Sequence, residues 1–232
     1  MALPPFHVPM LDANFILRRT YELSKLLLDA MTVVVFIASV KLCRRSYQPL
    51  YMKSLPIYFL VDVITEVIAQ SFPHIMNLTY FIFMFFEQAY FSYFLSQIIA
   101  TPGVRKLILA LFLSFLILVL LSDIFIGHIV TFGIGAILEG LSIIVPCFLY
   151  FKRLFLQTST IELKREPSFW MVTGILFYFL VLIPVIWFSG SYFYLGNYDL
   201  SQVLFGFNNF SQIISYTLFI KAMTCRQKKF YS

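Results

Sequence analysis

The sequence predicts an all-α, polytopic membrane protein with seven transmembrane helices, an N-terminus outside and a C-terminus in the cytoplasm. Three observations lead to this prediction. The chain is strongly apolar, its apolar residues fall into seven runs of membrane-spanning length, and its basic residues lie mainly on one side of those runs.

The amino-acid composition indicates that lipid is the main solvent of the chain. Of its 232 residues, 60% are hydrophobic and 12% are charged, whereas a soluble domain carries about 25% charged residues. The net charge of +6 could suit nucleic acid, but the basic residues stand in short clusters between apolar runs. No soluble stretch is long enough to form a nucleic-acid-binding domain. We therefore expect the lipid bilayer as a partner, and not nucleic acid.

Seven apolar runs are long enough to cross about 30 Å of hydrocarbon, which takes roughly 20 helical residues. They are Leu23–Leu42, Ser54–Phe72, Ile75–Ile99, Leu107–Ile126, Ile129–Phe151, Phe169–Phe188 and Leu200–Ala222. They divide the chain into an extracytoplasmic N-terminal segment (1–22), a transmembrane domain (23–222) and a basic cytoplasmic tail (223–232). The first residues lack the features of a cleavable signal peptide, so the first span is expected to direct insertion.

The distribution of Lys and Arg predicts the orientation, because segments that stay in the cytoplasm retain positive charge. Of the 17 Lys and Arg residues, fourteen fall on one side of the spans, and the other side holds Arg18, Arg19 and Lys25. This asymmetry requires an odd number of spans. On the predicted cytoplasmic side, Lys152, Arg153, Lys164 and Arg165 are expected to contact anionic lipid headgroups or a signalling partner.

Four carboxylic acids lie inside the predicted spans, where an ionised carboxylate is costly unless it faces a partner or a wet cavity. They are Asp62 and Glu66 in the second span, Glu87 in the third and Glu139 in the fifth. The seventh span adds polar side chains at Asn208, Asn209, Gln212 and Tyr216. We interpret these eight residues as a polar core that binds a small ligand or a proton. The alternative is that they form hydrogen bonds that only hold the helices together.

The second and third spans are neighbours joined by a short turn around Pro73, so Asp62, Glu66 and Glu87 are expected to approach one another. Counting residues inward from Pro73 makes Asp62 the acid of the second span nearest in depth to Glu87. Two such carboxylates cannot both stay ionised without a cation. At least one is therefore expected to hold a proton, or a cation is expected to bridge them.

Metal and catalytic sites are not predicted. His74, Asp123 and His128 could meet at the outer rim, but no pair of histidines shares a helical face at metal-ligand spacing. No nucleophile motif or phosphate-binding glycine loop occurs, and Lys221 lies too near the end of the last span to hold retinal. We therefore expect no metal, no cofactor and no catalytic residues.

Three segments carry a resemblance to a known group. They are PIYFLVDVITEVIAQ in the second span, EPSFWMVTGILFYF in the sixth, and NNFSQIISYTLFIKAMTC in the seventh. With the seven-span layout, they resemble a group of small inner-membrane proteins common in Bacteroidetes, which in turn resemble membrane sensor modules. The resemblance implies a location in the bacterial inner membrane and a sensory role, and it implies no catalytic residues.

The function favoured by these patterns is a receptor-like or sensor module that signals through a partner, because acids without catalytic partners suggest binding rather than chemistry. A small-solute or proton-coupled transporter is the second hypothesis, although it needs a polar route to both faces and two access states. A structural or assembly role and an enzyme remain as further alternatives.

Overall fold

The computed structural model describes residues 10–43, 50–99, 101–126, 128–156, 165–194 and 198–225, and within them the chain is helical. These residues form seven α-helices: α1 Met10–Cys43, α2 Leu55–Ser71, α3 Met76–Ile98, α4 Pro102–Ile126, α5 His128–Leu156, α6 Pro167–Tyr194 and α7 Tyr198–Thr224. Short 3-10 helices precede α2 at Leu50–Ser54 and join α2 to α3 at Pro73–Ile75. Helix α1 begins well before the first predicted span, inside the predicted N-terminal segment.

Proline marks several helix boundaries. Helix α2 carries a proline in its first turn, and α4 and α6 begin at Pro102 and Pro167. A proline suits this position because its missing N–H would have no partner there and its φ angle is already helical. Inside α5 and α6 the helices continue through Pro146 and Pro184.

Five of the described helices are individually long and apolar enough to cross a membrane. They comprise Leu17–Leu42, Pro102–Ile126, Phe132–Leu156, Pro167–Gly190 and Leu200–Thr224. Helices α2 and α3 meet the criterion only as a pair that bends by 116° at its break, which raises the count to six. Helix α2 has 17 residues, and Glu87 and Gln88 lower the mean hydropathy of α3. The helical, multi-pass part of the prediction is confirmed, while seven separate spans and the orientation stay predictions.

The helices form a ring. Going round it, α1 packs on α2, α2 on α3, α3 on α5, α5 on α6, α6 on α7, and α7 returns to α1. Helix α4 stands outside the ring against α3 and α5. Its buried residues are accordingly few, namely Ile108, Phe115 and Val119. The side chains that α2, α3, α5, α6 and α7 direct inward therefore share one core.

Contacts near the helix ends define one end of the ring, which we call the basic end. The Tyr150 hydroxyl, late in α5, lies 3.2 Å from Ser168 Oγ at the start of α6. Before α2, the ring of Tyr51 packs edge-on against Phe94 late in α3, with centroids 5.3 Å apart. These contacts bring together the start of α2, the end of α3, the end of α5 and the start of α6. Lys152 and Arg153 at the end of α5 lie here.

Another set of contacts defines the opposite end. Gln70, late in α2, donates a 3.0 Å hydrogen bond to Asp29 of α1. Asn209, in the first half of α7, donates to Ser24 of α1 at 3.1 Å. Successive helices therefore alternate in direction, which is the arrangement that the one-sided distribution of Lys and Arg requires.

Close packing of α6 on α7 depends on Gly174. A Cβ atom at this position would lie 2.7 Å from Cε1 of Phe219 and 3.2 Å from the backbone oxygen of Ser215. Small residues commonly let membrane helices approach in this way. The close approach keeps Ser215 and its neighbour Tyr216 buried at the centre of the ring.

Candidate functional site

Two buried pairs of tyrosine and carboxyl form the centre of the ring. Tyr58 of α2 donates a 2.5 Å hydrogen bond to Oε1 of Glu87 on α3. Tyr216 of α7 donates a 2.5 Å hydrogen bond to Oδ2 of Asp62 on α2. The exposed fractions of these four residues are between 2% and 6%. Both distances are at the short end of the range for hydrogen bonds between two oxygens.

The two pairs belong to one network because each contributes a residue to the same face of α2. Tyr58 and Asp62 are four residues apart and share a face of α2, with Glu87 bonded to the first and Tyr216 to the second. One turn earlier in α7, Gln212 donates to the Tyr216 hydroxyl at 2.8 Å. The polar network therefore runs from α3 through α2 to α7.

A cavity of about 10 Å³ borders the two bonded tyrosines, Tyr58 and Tyr216. The other polar side chains in its walls are Tyr178, Gln212 and Ser215. A cavity of this size holds about one water molecule. It can connect the pairs through water, but it has no room for an organic ligand.

Aromatic rings enclose the Tyr58–Glu87 pair. The rings nearest to Tyr58 belong to Phe59, Phe83, Phe86, Tyr90 and Phe91, with centroids 4.8 to 6.3 Å away. Such a shell excludes water and lowers the local dielectric constant, which strengthens hydrogen bonds and makes an unpaired charge costly. A change in the protonation of this pair therefore involves a large change in free energy.

Glu66 has a tyrosine partner of its own, nearer the opposite end. The Tyr80 hydroxyl of α3 lies 3.1 Å from Oε1 and 3.2 Å from Oε2 of Glu66. This carboxyl is half-buried, and its neighbours Lys25 and Asp29 belong to α1. Glu66 therefore belongs to a wetter group of charges than Asp62 or Glu87.

The structure places Asp62, Glu66 and Glu87 along α2 and α3, as the sequence led us to expect. Asp62 lies near enough to Glu66 and to Glu87 for their charges to interact. Among the described residues, however, each carboxyl is hydrogen-bonded to a tyrosine and not to another carboxyl. The residue of α2 that reaches Glu87 is Tyr58.

Among the acids that the structure describes, Glu139 of α5 is the most enclosed, with an exposed fraction of 2%. Its Oε1 atom has no hydrogen-bond partner among the described residues. Gln88 of α3 donates to Ser142 of α5 at 2.6 Å, and Ser142 donates to the backbone oxygen of Glu139 at 2.8 Å. Glu139 is near enough to Glu87 for their charges to interact.

Comparisons of the chain with protein-family models, curated proteins and solved structures find no match. The site is therefore interpreted from its own geometry and chemistry.

The polar side chains of α7 divide into two groups. Gln212 and Tyr216 belong to the central network. Asn209 instead bonds Ser24 of α1, toward the opposite end. Asn208 is 9% exposed, and its Oδ1 atom has no hydrogen-bond partner within the described part of the chain. The predicted α7 stripe thus contributes Gln212 and Tyr216 to the centre, while Asn209 contacts α1.

The predicted outer-rim residues stay apart from the central network. His74 is exposed in the turn between α2 and α3, and Asp123 is half-buried near the end of α4. The backbone of His128 begins α5, but its side chain lies outside the described residues. Across the described ranges, no three His, Cys, Asp or Glu side chains form a group able to hold a metal ion.

The structure describes three of the four residues that form the predicted basic surface. Lys152 and Arg153 are exposed at the end of α5 and border a groove of about 380 Å³ between α5 and the start of α4. Arg165 is exposed just before α6, and Lys164 lies outside the described residues. The described members therefore lie at the basic end, away from the carboxyl network.

Sequence reasoning did not assign Tyr58, Tyr80 or Gln88 to the site. A signal for Tyr58 was present, since it precedes Pro73 by 15 residues while Glu87 follows it by 14. Equal distances from a hairpin turn place two residues at equal depth. No comparable signal pointed to Gln88, whose partner Ser142 is 54 residues away.

Proposed function

We propose that this protein is a receptor-like or sensor module of the bacterial inner membrane that responds to protonation of its core. The observation that carries the proposal is the pair of buried bonds from Tyr58 to Glu87 and from Tyr216 to Asp62. They link α2 to α3 and to α7. A proton that rearranges either bond changes how two helices are held together.

The chemistry of a carboxyl group supplies the switch. An ionised carboxylate only accepts hydrogen bonds, whereas a protonated one also donates and needs an acceptor. Protonation of Asp62 or Glu87 would therefore weaken the charge-assisted bond from the tyrosine and add a donor that needs an acceptor of its own. Among the described residues, the other titratable groups whose charges reach this centre include Tyr178, Glu66, Glu139 and Asp29. A proton suits the site better than an organic ligand because the adjoining cavity has a volume of about 10 Å³.

The distribution of polar residues favours sensing over transport. The acids Glu66, Asp62 and Glu87 follow one another from the opposite end toward the middle of the ring. Beyond them, toward the basic end, the core is mainly apolar, and Met52, Leu55, Phe94, Leu95 and Ile99 have exposed fractions of 0% to 1%. The hydroxyl groups of Ser54 and Tyr90, 3.1 Å apart, lie within this layer. A proton that enters along the acids therefore meets a mainly apolar layer, which suits a sensor open to one side.

We further propose that the N-terminus is outside and the C-terminus in the cytoplasm, so that the acids approach the outer face. A cytoplasmic or membrane partner then reads the helix movement at the basic end. Lys152, Arg153 and Arg165 are exposed there and give such a partner, or anionic lipid, a positively charged surface.

Infrared difference spectroscopy between pH 5 and pH 9 tests the proposal. The wild type should show carboxyl bands that change with pH, and Asp62→Asn and Glu87→Gln should each remove part of that change. Glu22→Gln is the matched control, because Glu22 is exposed in α1 and pairs with Arg18 at 3.3 Å. Spectra that neither core substitution alters would contradict the proposal and would support a purely structural role.

Transport is the second hypothesis, and the row of acids is the observation that favours it. Proteoliposomes with a pH-sensitive dye inside distinguish the two functions. A sensor should leave the internal pH unchanged under an imposed proton gradient or solute gradient. Proton flux that Glu87→Gln abolishes would favour the transporter.

A further inference from the structure

We infer that Glu139 of α5 and Gln88 of α3 form a binding site for a small monovalent metal cation of the size of Na⁺. Two unpaired oxygens point to it. Oε1 of Glu139 and Oε1 of Gln88 have no hydrogen-bond partner among the described residues. The residues are 2% and 1% exposed, so bulk water does not serve as their partner.

A chain of hydrogen bonds places Gln88 beside the turn of α5 that carries Glu139. Gln88 Nε2 donates to Ser142 Oγ at 2.6 Å, and Ser142 Oγ donates to the backbone oxygen of Glu139 at 2.8 Å. Gln88 Nε2 also lies 3.4 Å from Ser92 Oγ. The site therefore lies between α3 and α5, next to Glu87 and beside the central network.

The Gln88 amide turns its nitrogen toward two hydroxyl groups, with Nε2 2.6 Å from Ser142 Oγ and 3.4 Å from Ser92 Oγ. Ser142 donates to the Glu139 carbonyl and accepts from this nitrogen. The amide oxygen is left as an acceptor that needs a donor or a cation.

A positive charge shared by the two oxygens removes the penalty of burying them unpaired. Such a penalty is about 1–3 kcal/mol for a neutral group and larger for a charged one. The protein does not supply the charge from either helix, since α3 contains no Lys or Arg and α5 carries Lys152 and Arg153 at its exposed end. A bound cation supplies it.

The oxygens define the class of cation. Carboxylate, amide and hydroxyl oxygens are hard ligands that suit alkali and alkaline-earth ions. One carboxylate balances a single positive charge, whereas Ca²⁺ takes six to eight oxygens and commonly several carboxylates. Tight packing between two helices favours Na⁺ over the larger K⁺. Binding does not depend on the proposed function; its link to sensing rests on that proposal through the neighbouring Glu87.

Thermal unfolding of the full chain in nanodiscs tests the site. The midpoint temperature of unfolding should rise by several degrees as NaCl is added and then reach a plateau, because a ligand that binds the folded state stabilises that state. Choline chloride at equal ionic strength and pH is the reference salt. KCl should act more weakly. Glu139→Gln and Gln88→Met should lose the Na⁺-specific rise, while Glu22→Gln, at an exposed position of α1, should keep it.

A second measurement detects Na⁺ binding directly, in case a variant folds poorly. Broadening of the ²³Na resonance by the wild type should fall to the protein-free value in Gln88→Met, which retains the charge of Glu139. Equal midpoints in NaCl and choline chloride would overturn the site, as would an unchanged Na⁺ response in both variants. A midpoint that depends on pH but not on Na⁺ would show that Glu139 holds a proton and would also overturn it. The infrared test of Asp62 and Glu87 does not depend on any of these outcomes, so the cation site and the proposed function can fail separately.

Discussion

Tyr216 on α7 donates a 2.5 Å hydrogen bond to Asp62 on α2, a residue 154 positions earlier in the chain. Helix α1 stands between α2 and α7 around the ring, so the bond crosses the core instead of joining ring neighbours. It ties the last helix to the helix that also holds Glu87 through Tyr58. Movement of α7 is thereby coupled to the carboxyl network.

Tyr216→Phe should lower the free energy of unfolding by about 1–2 kcal/mol, because Asp62 then loses a buried donor. Tyr178→Phe is the matched control, since Tyr178 lines the same cavity without a described hydrogen bond to a carboxyl. Unfolding in mixed SDS micelles measures both variants. A double-mutant cycle with Asp62→Asn should show coupling between the two positions. Equal losses in the two tyrosine variants would contradict the importance of the bond.

Gly174→Ala should destabilise the protein by about 1–3 kcal/mol, because the added methyl overpacks the α6–α7 contact. The added methyl would lie 2.7 Å from Cε1 of Phe219, whose ring would have to move, and in a tight 3.2 Å contact with the backbone oxygen of Ser215. Gly190→Ala in the same helix is the control, since its Cβ would have no atom within 4 Å. That change should be neutral or should stabilise by up to about 1 kcal/mol through helix propensity. Similar unfolding curves for both variants would show that α6 and α7 are farther apart than described.

A reporter fused after Ser232 should be active only in the cytoplasm, because the excess of Lys and Arg retains the basic end there. A cysteine introduced at the exposed His74 turn should react with an impermeant maleimide added outside intact cells. This labelling needs a background in which the three native cysteines are replaced. Periplasmic alkaline phosphatase activity from the Ser232 fusion would show that the predicted orientation is wrong.

Replacing Lys152, Arg153, Lys164 and Arg165 by Gln should weaken the association with anionic lipid. Each basic residue near an anionic surface contributes about 1 kcal/mol. Replacing Arg18 and Arg19, on the opposite side, is the control and should have little effect. Native mass spectrometry of retained lipids and co-purified proteins measures the difference. The basic surface would be merely solvated if the four-residue variant kept the same lipids and partners.

Much of the candidate site could be predicted from helical periodicity. The spacing of Tyr58, Asp62 and Glu66 placed them on one face of α2, and the hairpin around Pro73 made α3 its neighbour. Periodicity gave the depth of Glu87 but not the direction from which a partner reaches it. The same limit applies to Asn209 and Gln212, which belong to one predicted stripe, although Asn209 bonds to α1 and Gln212 belongs to the central network.

The sequence by itself determined the class of protein, the approximate helical runs and the one-sided distribution of charge. These follow from local properties: apolar length, residue spacing along a helix, and the positions of Lys and Arg between spans. Only the tertiary structure decided which polar groups meet, as in the pairs of Tyr58 with Glu87 and Gln88 with Ser142, 29 and 54 residues apart. Such pairing depends on the order of the helices around the ring and the rotation of each about its axis. Both are set by packing between helices, which no single apolar run encodes.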